Sequence, residues 1–580
     1  MKKIYAGVIS FNLFAFALFF LFGNYPWPIV LLHLISVFGL VGYAVFRLLR
    51  ELKIENKEYL LLVFLFIFSF ILRMYKIDTL TPGIQGDEMI VAYSVRELGT
   101  NFTPFTTSNF GHGTLLPYMV LMSVNFFGDS IASIRLPSVL FGCMGVAAFY
   151  LLLRLFFKRS IATLGGLFFA FSYPMLSLSR VIYEPTAAIF FQIVALIFLL
   201  LSERRKGIYY IGLGLMLGLG NYTYINFRLF TIFVFIYLFV RMIVKKRKWR
   251  EEAKGIGLVS AFTFIGMMPL VHYFIVNPDQ LLIRARVLSL FNQGLTVQDI
   301  VSNIVGSIGQ LQYIFVNPGD PNFRINPGKT AMVDILTLSV FLVGIGSLFK
   351  KFRLILIFFF LSVPFLLSDI FAYEAGPANT FFGFAHPNTL RISGILPFIL
   401  IVVTFGIFAL SKVVENSLKE NSIKQTQIEI MKIVSAIILV GLGFFINTTM
   451  YFSQPFDPYT YSVNGVLPLK LVGPVKNMSP GKTVSLSPFL KEDIRFEYFV
   501  GKNPANVKKF DPKSVEEAIG IIDTTDMTVI DSSFNVDIIR TLVEKNPTNK
   551  KIYYHQAPNG VDAFLFIGVD QIAIDEFFPI

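Results

Sequence analysis

Two adjacent carboxylates, Asp87 and Glu88, are the side chains whose position in this sequence most suggests chemistry. They follow a Pro-Gly loop at 81–86, just after the third apolar run, and lead into an amphipathic stretch at 89–98. Two neighbouring acids near a bilayer face are costly in desolvation and mutual repulsion, which favours a functional role. The alternative is a solvated helix N-terminus, where acids complement the helix dipole.

Other polar side chains recur where apolar runs end. Arg180 and Glu184 lie one helical turn apart, and Arg228 and Arg391 stand at the starts of later runs. The remaining candidates are His112, Tyr222, Tyr224, His272 and His386. Acids, bases and arginines that converge on one membrane face are typical of a site for an amphiphilic substrate with a phosphate, because carboxylates activate or coordinate and Arg or His groups hold the phosphate.

Each of these residues also has a structural interpretation. Arg180 and Glu184 could form an ion pair within one helix, worth roughly a few tenths of a kcal/mol. Arg228 and Arg391 could snorkel to lipid headgroups, and Tyr222 and Tyr224 could belong to an aromatic belt. A lone histidine at a helix end is usually just a hydrogen-bonded residue.

The composition is that of a membrane protein with many spans. Of 580 residues 54% are hydrophobic and only 15% are charged, and the mean hydropathy is +0.65. Repeated apolar runs match the roughly 20 residues that a helix needs to cross a bilayer. The net charge of +13 does not indicate nucleic-acid binding, since the excess of Lys and Arg clusters in short loops before residue 451. That clustering is the positive-inside pattern.

The charge pattern predicts thirteen spans with a cytoplasmic N-terminus. They are expected near 4–23, 28–48, 58–75, 135–157, 160–180, 185–203, 207–225, 228–244, 255–275, 332–350, 352–370, 390–412 and 430–450. The apolar run at 115–128 is short for a crossing, so we expect a juxtamembrane helix there. The long loops 76–114, 276–331 and 371–389 then face outward, together with Asp87 and the C-terminal region.

The same pattern divides the chain into three parts. Residues 1–57 are expected to add two transmembrane helices, the first of them a retained signal anchor. Residues 58–450 are expected to form an all-α catalytic membrane domain. Residues 451–580 are more charged and alternate strand-like with helix-like runs, which predicts a small soluble α/β domain outside the membrane.

The order of several motifs resembles the lipid-linked glycosyltransferases of the GT-C superfamily, and within it the family 39 group of protein O-mannosyltransferases and lipid A aminoarabinose transferases. The matching segments are 86–88, 111–118, 134–138, 179–184, 221–228, 277–286 and 386–397. Two departures stand out. His112 is followed by Gly113 and Thr114 where the family commonly has two prolines, and Glu184 replaces the usual second Asp.

The resemblance implies transfer of a sugar from a polyprenyl-phosphate donor to a lipid, glycan or protein acceptor on the outer face of the cell membrane, with inversion at the anomeric carbon. Asp87 would deprotonate the acceptor hydroxyl, supported by Glu88 and by Glu184 as the second acid. The departing phosphate would be stabilised by His112, Arg180 or Arg391, with Tyr222, Tyr224 and Arg228 as further substrate-binding candidates. A divalent metal cation would be a cofactor held by Glu88, His272 and His386.

Two other classes of function stay open at this point. A transporter or flippase of lipid-linked sugars would place charges and broken helices near mid-membrane, whereas these candidates lie at the outer ends of the runs. A non-catalytic glycan-binding membrane protein would keep its function after alanine replacement of Asp87 and Glu88.

Overall fold

The computed structural model describes most of the chain as two compact units. The larger unit comprises Met1–Tyr75, Ser94–Gly128 and Ala132–Gln454, and the smaller comprises Lys76–Tyr93, Asp129–Ile131 and Pro455–Ile580. The described residues are 2–107, 111–204, 206–244, 249–320, 325–326, 330–372, 387–420, 423–453, 465–478, 481–501, 506–531, 534–545, 548, 550–556 and 563–568.

The larger unit is helical apart from one short hairpin. Its helices are α1 (Lys2–Phe22), α2 (Trp27–Glu51), α3 (Asn56–Met74), the end of α4 (Gly86–Glu97), α5 (Leu115–Phe127), α6 (Ile131–Leu153), α7 (Arg159–Phe171), α8 (Tyr173–Ser179), α9 (Glu184–Ser202), α10 (Gly207–Gly220), α11 (Asn226–Val244), α12 (Trp249–Gly266), α13 (Met268–Val276), α14 (Ile283–Leu288), α15 (Val297–Gln310), α16 (Ile335–Leu348), α17 (Phe352–Ile370), α18 (Thr389–Ile392), α19 (Leu396–Glu420) and α20 (Gln425–Phe452). The hairpin pairs β1 (Phe105–Thr106) with β2 (His112–Gly113).

Many of these helices are long and apolar enough to cross a membrane. Seven described helices meet that requirement, or nine when each of two bent helix pairs counts as one span. The protein is therefore a mainly helical, multi-pass membrane protein. A helix or a bent pair lies at each of the thirteen predicted positions, and the number of true spans stays a prediction.

Two predicted spans are broken, because a proline lies in the first turn of each second arm. The axis bends by 56° between α7 and α8 and by 72° between α12 and α13. At the first break the backbone N–H of Tyr173 donates to Asn447 Oδ1 at 2.8 Å, so the freed amide is satisfied inside the protein.

Close packing of α10 on α12 depends on glycines. A Cβ on Gly218 would lie 2.6 Å from the Thr263 carbonyl oxygen and 2.7 Å from the Cα of Gly266. Small residues of this kind let two helices approach within backbone contact in a membrane. Helix α10 leads directly to the polar turn that follows residue 220, and α12 leads to α13.

The smaller unit contains a five-stranded sheet. Its strands are β3 (Val484–Leu486), β4 (Val507–Lys509), β5 (Met527–Asp531), β6 (Ile552–Gln556) and β7 (Ala563–Ile567), in the order β4-β3-β5-β7-β6. Strand β3 is parallel to β4 and β5, and β7 is antiparallel to β5 and β6. The helices beside it are α21 (Val466–Lys476), α22 (Pro488–Lys491), α23 (Ile494–Val500), α24 (Val515–Asp523) and α25 (Val536–Lys545). They form two apolar clusters with alternate strand residues, such as Val529 and Ile530.

A buried ion pair ties four helices of the larger unit together. Arg241 Nη2 on α11 donates to Glu252 Oε2 on α12 at 2.7 Å, and the two side chains are 3% and 0% exposed. Arg241 Nη1 also donates to Ser202 Oγ on α9 at 2.8 Å, and the Tyr210 hydroxyl on α10 donates to Glu252. Two of these helices carry candidate site residues at their opposite ends, Glu184 on α9 and Arg228 on α11.

Replacing Arg241 should therefore destabilise the protein strongly. Arg241→Ala leaves the Glu252 carboxylate buried without its main partner, and we expect a loss of about 3–5 kcal/mol of unfolding free energy. The control is Arg353→Ala, which removes an ion pair to Glu203 whose members are 63% and 32% exposed and should cost about 0–1 kcal/mol. Thermal unfolding in detergent measures both, and equal losses would contradict this role of the buried pair.

Candidate functional site

The β1–β2 hairpin presents His112 between two glycines. Gly111 has a φ of +88°, a left-handed conformation that favours glycine. A Cβ on Gly113 would lie 2.3 Å from the carbonyl oxygen of Tyr222, so only glycine lets the hairpin touch the turn that follows α10. The Gly113 that departs from the family pattern therefore has a steric reason in this chain.

His112 lies between an acid and an arginine. Its Nδ1 is 3.0 Å from Glu184 Oε1, and its Nε2 is 2.7 Å from Arg284 Nη1. An arginine can only donate, so Nε2 accepts, and Nδ1 carries the proton that is donated to the carboxylate. The side chains of His112 and Glu184 are only 12% and 6% exposed, which strengthens these hydrogen bonds.

Local structure explains why the two partners meet His112. Glu184 is the first residue of α9, where a carboxylate complements the positive end of the helix dipole. Arg284 lies on α14, one turn after a short 3₁₀ helix at Pro278–Leu281 that continues from α13. Three segments that are far apart in sequence therefore converge on one imidazole.

A small cleft, partly open to solvent, lies beside this group. Its polar lining includes His112, Arg228, Gln280 and Arg284. Arg228 Nη1 donates to the Leu281 carbonyl at 2.8 Å, and its guanidinium lies 5.0 Å from the centre of the Phe274 ring. Two cationic side chains and an imidazole in one cleft form a setting suited to an anion.

Arg391 belongs to a neighbouring polar group at the start of α18. Its Nη1 lies 3.7 Å from Asp369 Oδ1, and Asp369 also accepts from the backbone N–H of Asn388. Asn226 donates to the Arg391 carbonyl at 2.7 Å. The buried Tyr224 lies within electrostatic range of Arg284, Arg391, Glu184 and Asp369, and so stands between the two groups.

The acid pair lies at the N-terminus of α4, in the smaller unit. Glu88 is fully buried and its Oε2 accepts from the backbone N–H of Gln85 at 3.2 Å. Gln85 precedes the first helical residue, so Glu88 makes half of a capping box. Asp87 is half-buried one residue earlier. The two carboxylates therefore differ in burial, since Glu88 is fully buried at the helix cap and Asp87 is half-buried.

Three other predicted site residues are held by contacts within the fold. Arg180 is fully buried, with its Nε donating to the Tyr451 hydroxyl at 3.1 Å and Nη1 donating to the Arg73 carbonyl at 2.5 Å. The Tyr222 hydroxyl accepts from the Leu270 backbone N–H. His272 Nδ1 is 2.8 Å from the Tyr25 hydroxyl, among the rings of Phe16, Phe19 and Phe20.

The predicted metal ligands do not assemble in the part of the chain that is described. No group of three or more His, Cys, Asp or Glu side chains there is arranged to hold a metal ion. His272 is enclosed by aromatic rings, and Glu88 is engaged by a backbone amide. His386 lies outside the described residues.

Arg284 is the site residue that sequence reasoning missed. It was part of a family-like segment at 277–286, but nothing in that segment separated it from Arg286. In the structure Arg286 is 57% exposed beside Asp279, whereas Arg284 donates to His112. The sequence feature that could have pointed to it is the pair of arginines, Arg284 and Arg286, in the long loop predicted at 276–331.

Residues 111–273 match the family described as dolichyl-phosphate-mannose-protein mannosyltransferase. The resemblance to GT-C lipid-linked glycosyltransferases is confirmed. The matched segment contains His112, Glu184 and Arg228, and Arg284 follows it by eleven residues.

Some solved structures have a limited likeness to this one. ArnT from Cupriavidus metallidurans bound to undecaprenyl phosphate has a TM-score of 0.46 and 11% identity, covering 89% of this chain and 99% of that chain. The apo oligosaccharyltransferase of Archaeoglobus fulgidus has a TM-score of 0.44 and 12% identity, covering 87% of this chain and 74% of that chain. Because these scores are below 0.5, the family resemblance depends on the sequence match. No curated protein matches the chain significantly.

The fit of the hairpin against the 220–225 turn can be tested with one methyl group. Gly113→Ala places a Cβ against the Tyr222 backbone, and we expect it to cost about 1–3 kcal/mol of unfolding free energy. The control is Gly99→Ala, where the nearest atom to the new Cβ is 4.0 Å away. A Gly113→Ala protein as stable as the control would show that the hairpin does not need this close approach.

Proposed function

We propose that the protein is a membrane glycosyltransferase that transfers a sugar from a polyprenyl-phosphate donor to an acceptor at the outer face of the cell membrane. The observation that carries this proposal is the Glu184–His112–Arg284 group beside a cleft that Arg228 also lines. The family match over the segment that holds three of these residues supports the same chemistry.

The cleft residues suit the phosphate of the donor. Arg284 presents a planar guanidinium that can bind two phosphate oxygens, and Arg228 adds a second positive charge to the cleft lining. The Glu184 carboxylate accepts from Nδ1 of His112, which leaves Nε2 of the ring facing Arg284 and so holds that guanidinium at the cleft. Arg180 and Arg391 hold structural partners, which favours Arg228 and Arg284 for the phosphate.

The reaction we propose is a single in-line displacement. The acceptor oxygen forms a bond to the anomeric carbon while the bond from that carbon to the phosphate oxygen breaks, and the phosphate leaves with the electron pair. Asp87 takes the proton of the acceptor hydroxyl, and the capping contact of Glu88 fixes the start of α4 beside it. Arg228 and Arg284 stabilise the charge that develops on the phosphate, and His112 holds Arg284 in place.

This assignment of Asp87 predicts a specific loss of activity. Asp87→Asn keeps the size of the side chain but removes the base, so transfer should fall about 10²–10⁴-fold. Purified protein is incubated with a polyprenyl-phosphate sugar and an acceptor, and released polyprenyl phosphate is measured. Asp279→Asn, at a carboxylate that is 91% exposed, is the matched control and should stay active.

Three outcomes of that assay separate the alternatives. Loss in Asp87→Asn alone supports the glycosyltransferase with Asp87 as base. Full activity of Asp87→Asn would remove Asp87 from the reaction. A flippase would be indicated instead if the wild-type protein moved the intact lipid-linked sugar across a vesicle membrane and released no lipid phosphate.

A further inference from the structure

The turn between α1 and α2 contains a tyrosine that contacts both segments leading to the His112–Arg284 hydrogen bond. Gly23, with a φ of +64°, ends α1 and donates its N–H to the Phe19 carbonyl at 2.9 Å. Pro26 is the N-cap of α2, so the turn between Phe22 and Trp27 is only four residues long. Tyr25 is 9% exposed, which is unusual for a residue in so short a turn.

Its backbone engages the segment that carries His112. The Tyr25 carbonyl accepts from the Phe102 N–H at 3.0 Å, and the Phe102 ring stacks on Tyr118 with centroids 5.2 Å apart. The next residue, Thr103, accepts from Thr114 Oγ1 at 2.5 Å. Thr114 directly follows the β2 strand, so this series of contacts ends two residues from His112.

Its side chain engages the segment that carries Arg284. The Tyr25 hydroxyl is hydrogen-bonded to His272 Nδ1 at 2.8 Å, near the middle of α13. Helix α13 continues through the Pro278–Leu281 turn to α14, where Arg284 lies. One residue therefore holds the two segments through two different groups, its carbonyl and its phenol.

The hydrogen-bonded pair of Tyr25 and His272 fixes the position of α13 better than two apolar side chains would. The phenol and the imidazole lie among the rings of Phe16, Phe19 and Phe20, where an unmade hydrogen bond is costly. A hydrogen bond is directional, whereas packed rings can slide, so the bond sets the position of α13 relative to the turn. The rings of Phe105 and Tyr273, 5.3 Å apart, also join the two segments, so loss of the phenol should have a graded effect.

We propose that Tyr25 is a positioning residue of the candidate site, and that the N-terminal hairpin α1–α2 serves to set the distance between His112 and Arg284. The hairpin had no role in the sequence-based account. The proposal concerns the same cleft as the proposed function. The predicted change in KM rests on that function, whereas the predicted change in hydrogen–deuterium exchange does not.

The test is Tyr25→Phe, which keeps the ring and the backbone contact and removes only the hydroxyl. Hydrogen–deuterium exchange of the full-length protein in detergent should become about 3- to 10-fold faster in peptides covering 277–284, and stay unchanged in α19 and in peptides covering 102–106, whose contact to the Tyr25 carbonyl is kept. In the transfer assay, the KM for the polyprenyl-phosphate sugar should rise about 3- to 10-fold with kcat within about twofold, because ground-state binding of the phosphate is affected. Tyr59→Phe, at a tyrosine that is 44% exposed on α3, is the matched control.

The two parts of the test have separate meanings. Unchanged exchange in the 277–284 peptides of Tyr25→Phe would overturn the proposal, and so would a change of equal size in the Tyr59→Phe protein. A fall in kcat with an unchanged KM would also contradict it, because the site would then be altered by another route. If the wild-type protein transfers no sugar, the proposed function fails and the exchange result alone decides the role of Tyr25.

Discussion

The site depends on one imidazole that is held from both sides. Because Arg284 can only donate to Nε2, the Nδ1 proton of His112 must face Glu184, and the three side chains have one consistent arrangement. The three residues lie up to 172 positions apart in the sequence, so the arrangement exists only when the β1–β2 hairpin, α9 and α14 are all correctly placed. The close contact at Gly113 restrains the β1–β2 hairpin, and the Arg241–Glu252 pair restrains α9 through the bond from Arg241 to Ser202.

Burial and partners divide the arginines of this membrane protein into two kinds. Arg180 and Arg241 are almost completely buried, and their hydrogen bonds go to carbonyls, hydroxyls or a carboxylate that hold helices together. Arg228 and Arg284 line the cleft. A buried cation in a helical membrane protein is costly unless it is compensated, so the first kind stabilises the fold, and the second kind can bind an anionic ligand.

The sequence predicted the helices well because a membrane demands about 20 apolar residues for each crossing. It did not predict that two spans are broken, since the prolines at 174 and 269 can equally begin a helix or end one. It named His112 and Glu184 as candidates without pairing them, and it placed Arg180 with the phosphate. Spacing along a chain does not show which way a side chain at a helix end faces, and only the tertiary contacts separate Arg284 from Arg286.

In the proposed reaction, Arg284 beside His112 binds the phosphate of a polyprenyl-phosphate ligand. The most direct measurement is the affinity of the purified protein for polyprenyl phosphate in two variants of the same helix, Arg284→Ala and Arg286→Ala. Loss of charge-assisted hydrogen bonds worth about 1.5–3 kcal/mol predicts binding roughly 10- to 150-fold weaker in Arg284→Ala. Arg286, which is 57% exposed, should be dispensable. Equal affinities in Arg284→Ala and the wild type would contradict the account.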